Sequence, residues 1–164
     1  MDAEEQEMIH ERVLEETGFW GSQGAGSIVM ARSTGRILVG LRSGEVVEPF
    51  TWGCWGGAID EGEGPLEAAL REVREECGYF GELSAEPLLV FTSGSFRYSN
   101  FLVTVDDEFE PCLNIETDEA GWFDLDDLPS PLHFGLEALF ADPGSVQAIR
   151  AAAADAAASR PRGP

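Results

Sequence analysis

Three glutamates, Glu72, Glu75 and Glu76, stand at i, i+3 and i+4 in the stretch GPLEAALREVREECGY, residues 64–79. On a helix that spacing brings their carboxylates to one side. Three like charges so close repel one another and weaken the helix. A hard divalent cation relieves the repulsion, because Mg²⁺ takes oxygen ligands and shares them with substrate phosphates. The alternative is a solvated acidic face with no chemistry. The local signals favour a helix from Pro65 to Cys77: Pro suits the first turn, Glu67 the positive end, and Gly78 supplies the stop. At roughly 100° per residue, Leu66, Leu70, Val73 and Cys77 share one stripe that should face a core, opposite the glutamates. Arg71 follows Glu67 at i+4, a surface pairing worth little by itself. Gly56 and Gly57 precede the helix in a tight stretch that needs unusual backbone angles.

From Gly57 to Tyr79 the chain reads G-x5-E-x7-R-E-U-x-E-E-x-G-U, where U is bulky and apolar. This pattern resembles the signature of the Nudix hydrolases, which cleave nucleoside diphosphates linked to a further group. Tyr79 stands where that family usually carries an aliphatic residue, and an aromatic ring can pack there too. The resemblance implies an α/β fold, an α/β/α sandwich with a mixed β-sheet and the motif helix packed on it. It implies that Glu72, Glu75 and Glu76 hold Mg²⁺, with Mn²⁺ as a substitute ion, helped by a backbone carbonyl at the double glycine, assigned to Gly57. It also implies that Glu63 pairs with Arg71 and braces the loop against the helix, a supporting role.

Outside the motif, GWFDLDDLP (residues 121–129) resembles the family's closing strand and turn. Members often place a further acidic residue just before that strand, as a metal ligand or general base. Glu116, Asp118 and Glu119 are the candidates; some dinucleoside-polyphosphate hydrolases of the family carry a Glu six residues before the Trp that matches Trp122, a resemblance that favours Glu116. For substrate contacts the sequence offers Arg42 at a strand end, and Arg97, Tyr98 and Asn100 on a later strand. Trp52, Trp55 and Phe96 could stack on a base, although aromatic residues on strands more often build the core.

The elements that must position these groups are legible from patterning. Ala25 to Arg32 and Arg36 to Arg42 read as a hairpin, Phe50 to Trp55 as a strand leading into the glycines. Pro87 to Thr92 and Phe96 to Val105 form a second pair, and Glu119 to Phe123 a closing strand. Leu125 to Leu128 reads as a helical turn, with helices at Leu132 to Phe140 and Ser145 to Ala158. Met1 to Thr17 reads as a peripheral helix and 159–164 as a frayed tail. Residues 1–158 are expected to form one domain.

Composition sets the outer limits. The 164 residues suit a single domain core. No apolar run reaches membrane-spanning length and the N-terminus is acidic, so neither a spanning helix nor a signal peptide is expected. Cys54, Cys77 and Cys112 have no metal-ligand spacing and read as reduced thiols of a cytoplasmic protein. His10 and His133 are too few for a zinc site. The formal net charge is −21, every basic residue is arginine, and no basic stripe exists for nucleic acid. Salt adaptation and a G+C-rich genome would both produce such a surface. The expected partner is a small nucleotide-type substrate, with no nucleic acid and no membrane; a homodimer is compatible with the chain. The sequence therefore reads as a metal-dependent hydrolase of a nucleoside diphosphate derivative. The alternatives are a pyrophosphatase that cleanses the nucleotide pool of modified triphosphates, and a catalytically silent nucleotide sensor of the same fold.

Overall fold

A computed structural model describes residues 23–46 and 48–159. The expected N-terminal helix and the 160–164 part of the tail lie outside the described residues. Seven strands form one mixed sheet: β1 (Gln23–Ala31), β2 (Ile37–Arg42), β3 (Trp52–Gly53), β4 (Trp55–Ala58), β5 (Leu83–Ser93), β6 (Phe96–Val105) and β7 (Thr117–Phe123). Among the described residues three helices accompany them: α1 (Pro65–Cys77), α2 (Phe134–Ala141) and α3 (Pro143–Ser159).

Strand β1 is central and runs parallel to β6 along its length. Its pleat sends alternate residues to opposite faces. Ile28 and Met30, with Ile37, Val39 and Leu102, pack under Leu136 and Leu139 of α2 and Ile149 of α3. Val29 and Ala31, with Leu38, Val103 and Val105, pack under Val73 and Cys77 of α1. Both faces are covered, so eight of the nine β1 residues are buried. This is the α/β/α sandwich expected from the resemblance.

The other edge of β1 is divided, and the division makes the site. Val29 and Met30 pair with β2, whereas Gly24 to Ser27 pair with β4. Strand β2 pairs with β3 at Gly40 and Leu41, and with β7 on its far side. Strands β1 and β2 thus splay apart, and the chain crosses the gap between them. The expected single strand from Phe50 to Trp55 is for this reason two short strands, broken at Cys54 where the chain changes partners. The expected helical turn at Leu125 is instead a tight turn closed by the Asp127 N–H on the Asp124 carbonyl, 3.0 Å.

Trp55 occupies the root of the gap. It is 2% exposed, and its Nε1 donates to the Leu38 carbonyl at 2.9 Å. Gly40 lets the indole pass: a Cβ there would lie 2.7 Å from Trp55 Cη2 and 2.9 Å from Thr117 Cγ2. Neither the strand nor the enclosed ring can yield cheaply. Gly40→Ala is therefore expected to lower stability by about 1–3 kcal/mol, the usual cost of overpacking. Urea denaturation checks it, and an unchanged midpoint would contradict this packing.

Candidate active site

Helix α1 begins at Pro65 and ends at Gly78, whose φ of 69° is left-handed and whose N–H returns to the Arg74 carbonyl. Its buried face differs from the expected stripe. Ala68, Ala69, Val73 and Cys77 are fully buried, whereas Leu66 is 42% exposed and Leu70 half-buried. The strands beneath are the reason: Ala68 and Ala69 meet Ala25, next to the glycines of β1 and β4. Small residues on both sides let helix and sheet approach closely. Tyr79, the aromatic variant of the motif's last position, stacks on Phe109 at 4.6 Å.

That close approach aligns three helix side chains with three successive β4 residues. The Arg71 guanidinium donates to the Ala58 carbonyl at 2.9 Å. The Glu72 carboxylate lies against Gly57, where a Cβ would sit 2.6 Å from Oε1. The Gly56 N–H donates to Glu76 Oε1 at 3.3 Å. Arg71 also grips Glu63 in a two-point pair, Nε to Oε2 at 2.8 Å and Nη2 to Oε1 at 3.0 Å. Glu63 Oε1 accepts the Asp60 N–H at 3.0 Å as well, so the loop before the helix is tied to the helix itself. Arg71 Nη1 reaches Glu72 at 3.0 Å and Glu75 at 3.1 Å.

The three motif glutamates do not converge. Glu72 and Glu76 stand side by side at the cavity wall. Glu75 is 58% exposed and turns to Arg71. Helical geometry explains this: position 75 lies roughly 100° around the axis from 76 but only about 40° from 71. Among the described residues no three acidic, histidine or cysteine side chains gather around one point.

The glycine carbonyl also needs reassignment. The Ile59 N–H bonds to the Gln23 carbonyl, which sets the alternation of the β1–β4 ladder. In an antiparallel ladder, hydrogen-bonded positions turn both backbone groups to the partner strand. Gly57 is such a position, so its carbonyl faces β1. Gly56 and Ala58 face outward, as their bonds to Glu76 and Arg71 confirm. The outward glycine carbonyl therefore belongs to Gly56, while Gly57 is the residue that leaves room for Glu72.

The electrostatics follow from this crowding. Burial pushes the Glu76 carboxyl well above the ordinary carboxylate range. The hydrogen bond and charge of Glu72 and the charge of Glu116 add to the rise, and the Gly56 N–H opposes it. Two half-buried carboxyls side by side suit a divalent cation, which would offset both desolvation and repulsion. The bond to Glu63 and the charges of Glu72, Glu63 and Asp60 raise the Arg71 pKa against the effect of burial, so Arg71 stays charged. Arg71 in turn holds Glu63 below its usual range, helped by the Asp60 N–H.

A cavity of about 510 Å³ opens beside Glu72 and Glu76. Glu116 joins its wall. Its N–H bonds to Asn114 Oδ1 at 3.0 Å and its carbonyl accepts the Ser43 N–H at 2.9 Å. A register shift follows, since Leu41 pairs with Glu119 but Arg42 with Thr117, leaving Asp118 as an extra residue. Asp118 and Glu119 are exposed and stand off the cavity. Arg42 lines the cavity. Arg97 does not: strand alternation sends it away from the side occupied by Tyr98 and Asn100, and it is exposed.

The aromatic candidates need correcting. Trp55 and Phe96 are core residues and do not line the cavity. Trp52 meets Phe123 edge-on at 5.5 Å. The apolar wall comes instead from Leu89 and Phe91 of β5 and from Phe134 and Leu139 of α2. His133 caps α2, its Nδ1 accepting the Gly135 N–H at 3.1 Å, and lines the cavity too. No local signal announced the wall, because it joins segments about 45 residues apart in sequence.

The family model of the NUDIX domain matches residues 21–142, well over half of the chain. The chain belongs to the Nudix hydrolase family. It is 31% identical over 125 residues to the nucleoside triphosphate pyrophosphatase/Nudix hydrolase fusion protein of Bifidobacterium longum, a match covering 68% of this chain and 25% of that protein. A 55-residue match at 42% identity, 30% of this chain, relates it to the RNA pyrophosphohydrolase of Gluconacetobacter diazotrophicus, of which it covers 33%. The chain thus spans a quarter to a third of the length of these curated relatives. The crystal structure of the MutT NUDIX hydrolase from Burkholderia pseudomallei superimposes with a TM-score of 0.56 at 28% identity, covering 82% of this chain and 96% of that one. No described helix is long and apolar enough to cross a membrane.

The Glu63–Arg71 clasp generates a prediction with a definite sign. The folded pKa of Glu63 is lowered, so its contribution to stability is present above its unfolded value, near 4.5, and is lost as pH falls through the folded value. Glu63→Gln is expected to melt earlier than wild type at pH 7, with the gap closing in acid below pH 4.5. Melting curves at several pH values check this; a gap that persists unchanged in acid would contradict a charge-based clasp.

Proposed function

We propose that this Nudix hydrolase cleaves the pyrophosphate bond of a nucleoside diphosphate linked to another moiety. The observation that carries the reading is the half-buried Glu72–Glu76 pair against the glycine strand, open to a cavity with a separate apolar wall. Glu72 and Glu76, with the outward Gly56 carbonyl, would hold Mg²⁺ or Mn²⁺; Glu75 would join them only by leaving its pair with Arg71. Bound there, such an ion supplies charge neutralisation at phosphoryl oxygens and lowers the pKa of a water. Arg71 fixes Glu72 and, through Glu63, the loop before the helix. Glu116 takes the proton from the attacking water as the P–O–P bond breaks. The products are a nucleoside monophosphate and a phosphorylated second moiety.

Charge favours a linked diphosphate over a free triphosphate. Four glutamates line the cavity, Glu45, Glu72, Glu76 and Glu116, and among the described residues Arg42 is the sole guanidinium there. A diphosphate diester brings about two negative charges and a triphosphate nearly four, so the first is repelled less by this field. The same balance disfavours RNA, although one relative is named an RNA pyrophosphohydrolase. A cytoplasmic location agrees with the free thiols of Cys54, Cys77 and Cys112.

Steady-state kinetics on a panel of nucleotides with product identification tests the reading; release of no mononucleotide from any diphosphate derivative would refute it. Two substitutions sharpen it. Glu76→Gln is expected to keep the fold and lose most of its turnover at saturating Mg²⁺; near wild-type turnover would remove Glu76 from the metal site. Glu116→Gln is expected to lower turnover by roughly 10²–10⁴-fold, the usual worth of a positioned base, while Glu119→Gln stays within a few fold of wild type. The reverse pattern would move the base to Glu119.

A further inference from the structure

Strand β5 carries a bulge opposite Asn100. Pro87 pairs with Phe101 and Val90 with Ser99, so two residues of β5, Leu88 and Leu89, stand against one residue of β6. The bulge takes the Leu89 backbone out of the ladder, and both of its polar groups find side-chain partners. The Leu89 N–H donates to Ser145 Oγ of α3 at 3.1 Å, and Ser145 is itself buried. The Leu89 carbonyl accepts Asn100 Nδ2 at 3.0 Å. A carbonyl can only accept, so the amide is fixed with Nδ2 on Leu89 and Oδ1 at the opposite corner.

That oxygen is an acceptor in want of a donor. Asn100 is 8% exposed and lines the cavity beside Leu89, Phe91 and Leu139. Among the described residues no group donates to its Oδ1. Nor is Oδ1 sealed in the core, since the enclosed side-chain oxygen that lacks a partner there is Ser27 Oγ. Oδ1 therefore opens on the ligand space, on a side chain that cannot turn without stranding the Leu89 carbonyl. An amide oxygen has no proton to give. It repels a phosphoryl oxygen and suits an N–H or O–H. Its place in the sheet agrees with this chemistry. Asn100 pairs with Gly26, and Gly26 with Gly56. Two strand spacings put it roughly 10 Å from the glycine that bonds to Glu76. The apolar neighbours sharpen the demand, because a ligand that covers Oδ1 without a donor leaves it desolvated.

We propose that Asn100 is a specificity residue, whose Oδ1 accepts a hydrogen bond from a neutral N–H or O–H on the part of the substrate beyond its diphosphate. This rests on the linked-diphosphate reading and names a group that such a substrate carries. A base amino group or ring N–H and a sugar hydroxyl share this chemistry, and experiment separates the two sources. Leu89 acts through Asn100, because the bulge is what aims the amide.

The test is kcat/KM for the best-cleaved diphosphate compound and for analogues that each lack one donor: the exocyclic amino group, the ring N–H, or one sugar hydroxyl. In wild type at least one analogue is expected to lose roughly 10- to 100-fold, mainly through KM, the worth of a desolvated acceptor left unpaired. A costly amino or ring N–H analogue assigns the donor to the base, and a costly deoxy analogue assigns it to a sugar. In Asn100→Leu that loss should shrink to about threefold or less, because the acceptor is gone. Ser145→Ala should lower the melting temperature by loosening the bulge, yet keep the wild-type ranking of analogues, since Asn100 still holds Leu89. Three results would overturn the proposal: no analogue costing more than about threefold in wild type, the full loss persisting in Asn100→Leu, or a ranking flattened equally in both variants. If Asn100→Leu does not fold, Asn100→Ala is read by the same limits, and if neither folds the wild-type panel decides. If no compound is cleaved, the linked-diphosphate reading fails on its own. Calorimetric binding of nucleoside monophosphates and their donor-deleted analogues, with Mg²⁺, to wild type and Asn100→Leu then decides. A loss on donor removal that Asn100→Leu abolishes supports the assignment; equal losses in both proteins, or none, overturn it.

Discussion

The site depends on how closely α1 approaches β4. Ala68 and Ala69 on the helix, against Ala25 beneath, set that distance. At that distance Arg71 meets Ala58, Glu72 meets Gly57 and Glu76 meets Gly56. A larger residue at Gly57 would collide with the Glu72 carboxylate itself. The carboxylate wall is thus a by-product of a packing solution, in which the two elements share the smallest side chains. The splay between β1 and β2 gives β4 the room to stand there.

The motif helix was legible because its signals are local. Pro65 and Gly78 mark its ends, and Gly78 adopts the left-handed conformation that such a stop requires. The Glu63–Arg71 pairing came only from the family resemblance, and the structure gives it two-point geometry. The buried face was misread for a physical reason. Hydrophobicity ranks leucine above alanine, but a glycine-rich partner surface selects small volume, so Leu66 lies outside and Ala69 inside.

Other features depended on information that spacing does not hold. The exchange of Gly57 for Gly56 rests on strand register, which fixes the direction of each carbonyl. Glu75 shares a face with Glu72 in projection, yet Arg71 at i−4 competes for it. Trp55 follows the strand break with its indole turned inward, and its N–H is satisfied by Leu38. Glu116 rather than Glu119 reaches the cavity through a register shift, and such irregularities have no sequence signature here.

The Glu72–Glu76 pair is the proposed divalent-cation site. The most direct test is the melting temperature of wild type and Glu76→Gln in rising MgCl₂, against NaCl of equal ionic strength. Screening of the −21 net charge raises both curves in both proteins. Specific binding adds an increment that grows with the logarithm of free Mg²⁺ above its dissociation constant. The account predicts that increment in wild type and its loss in Glu76→Gln. Equal Mg²⁺ increments in the two proteins, or none beyond NaCl in wild type, would contradict it.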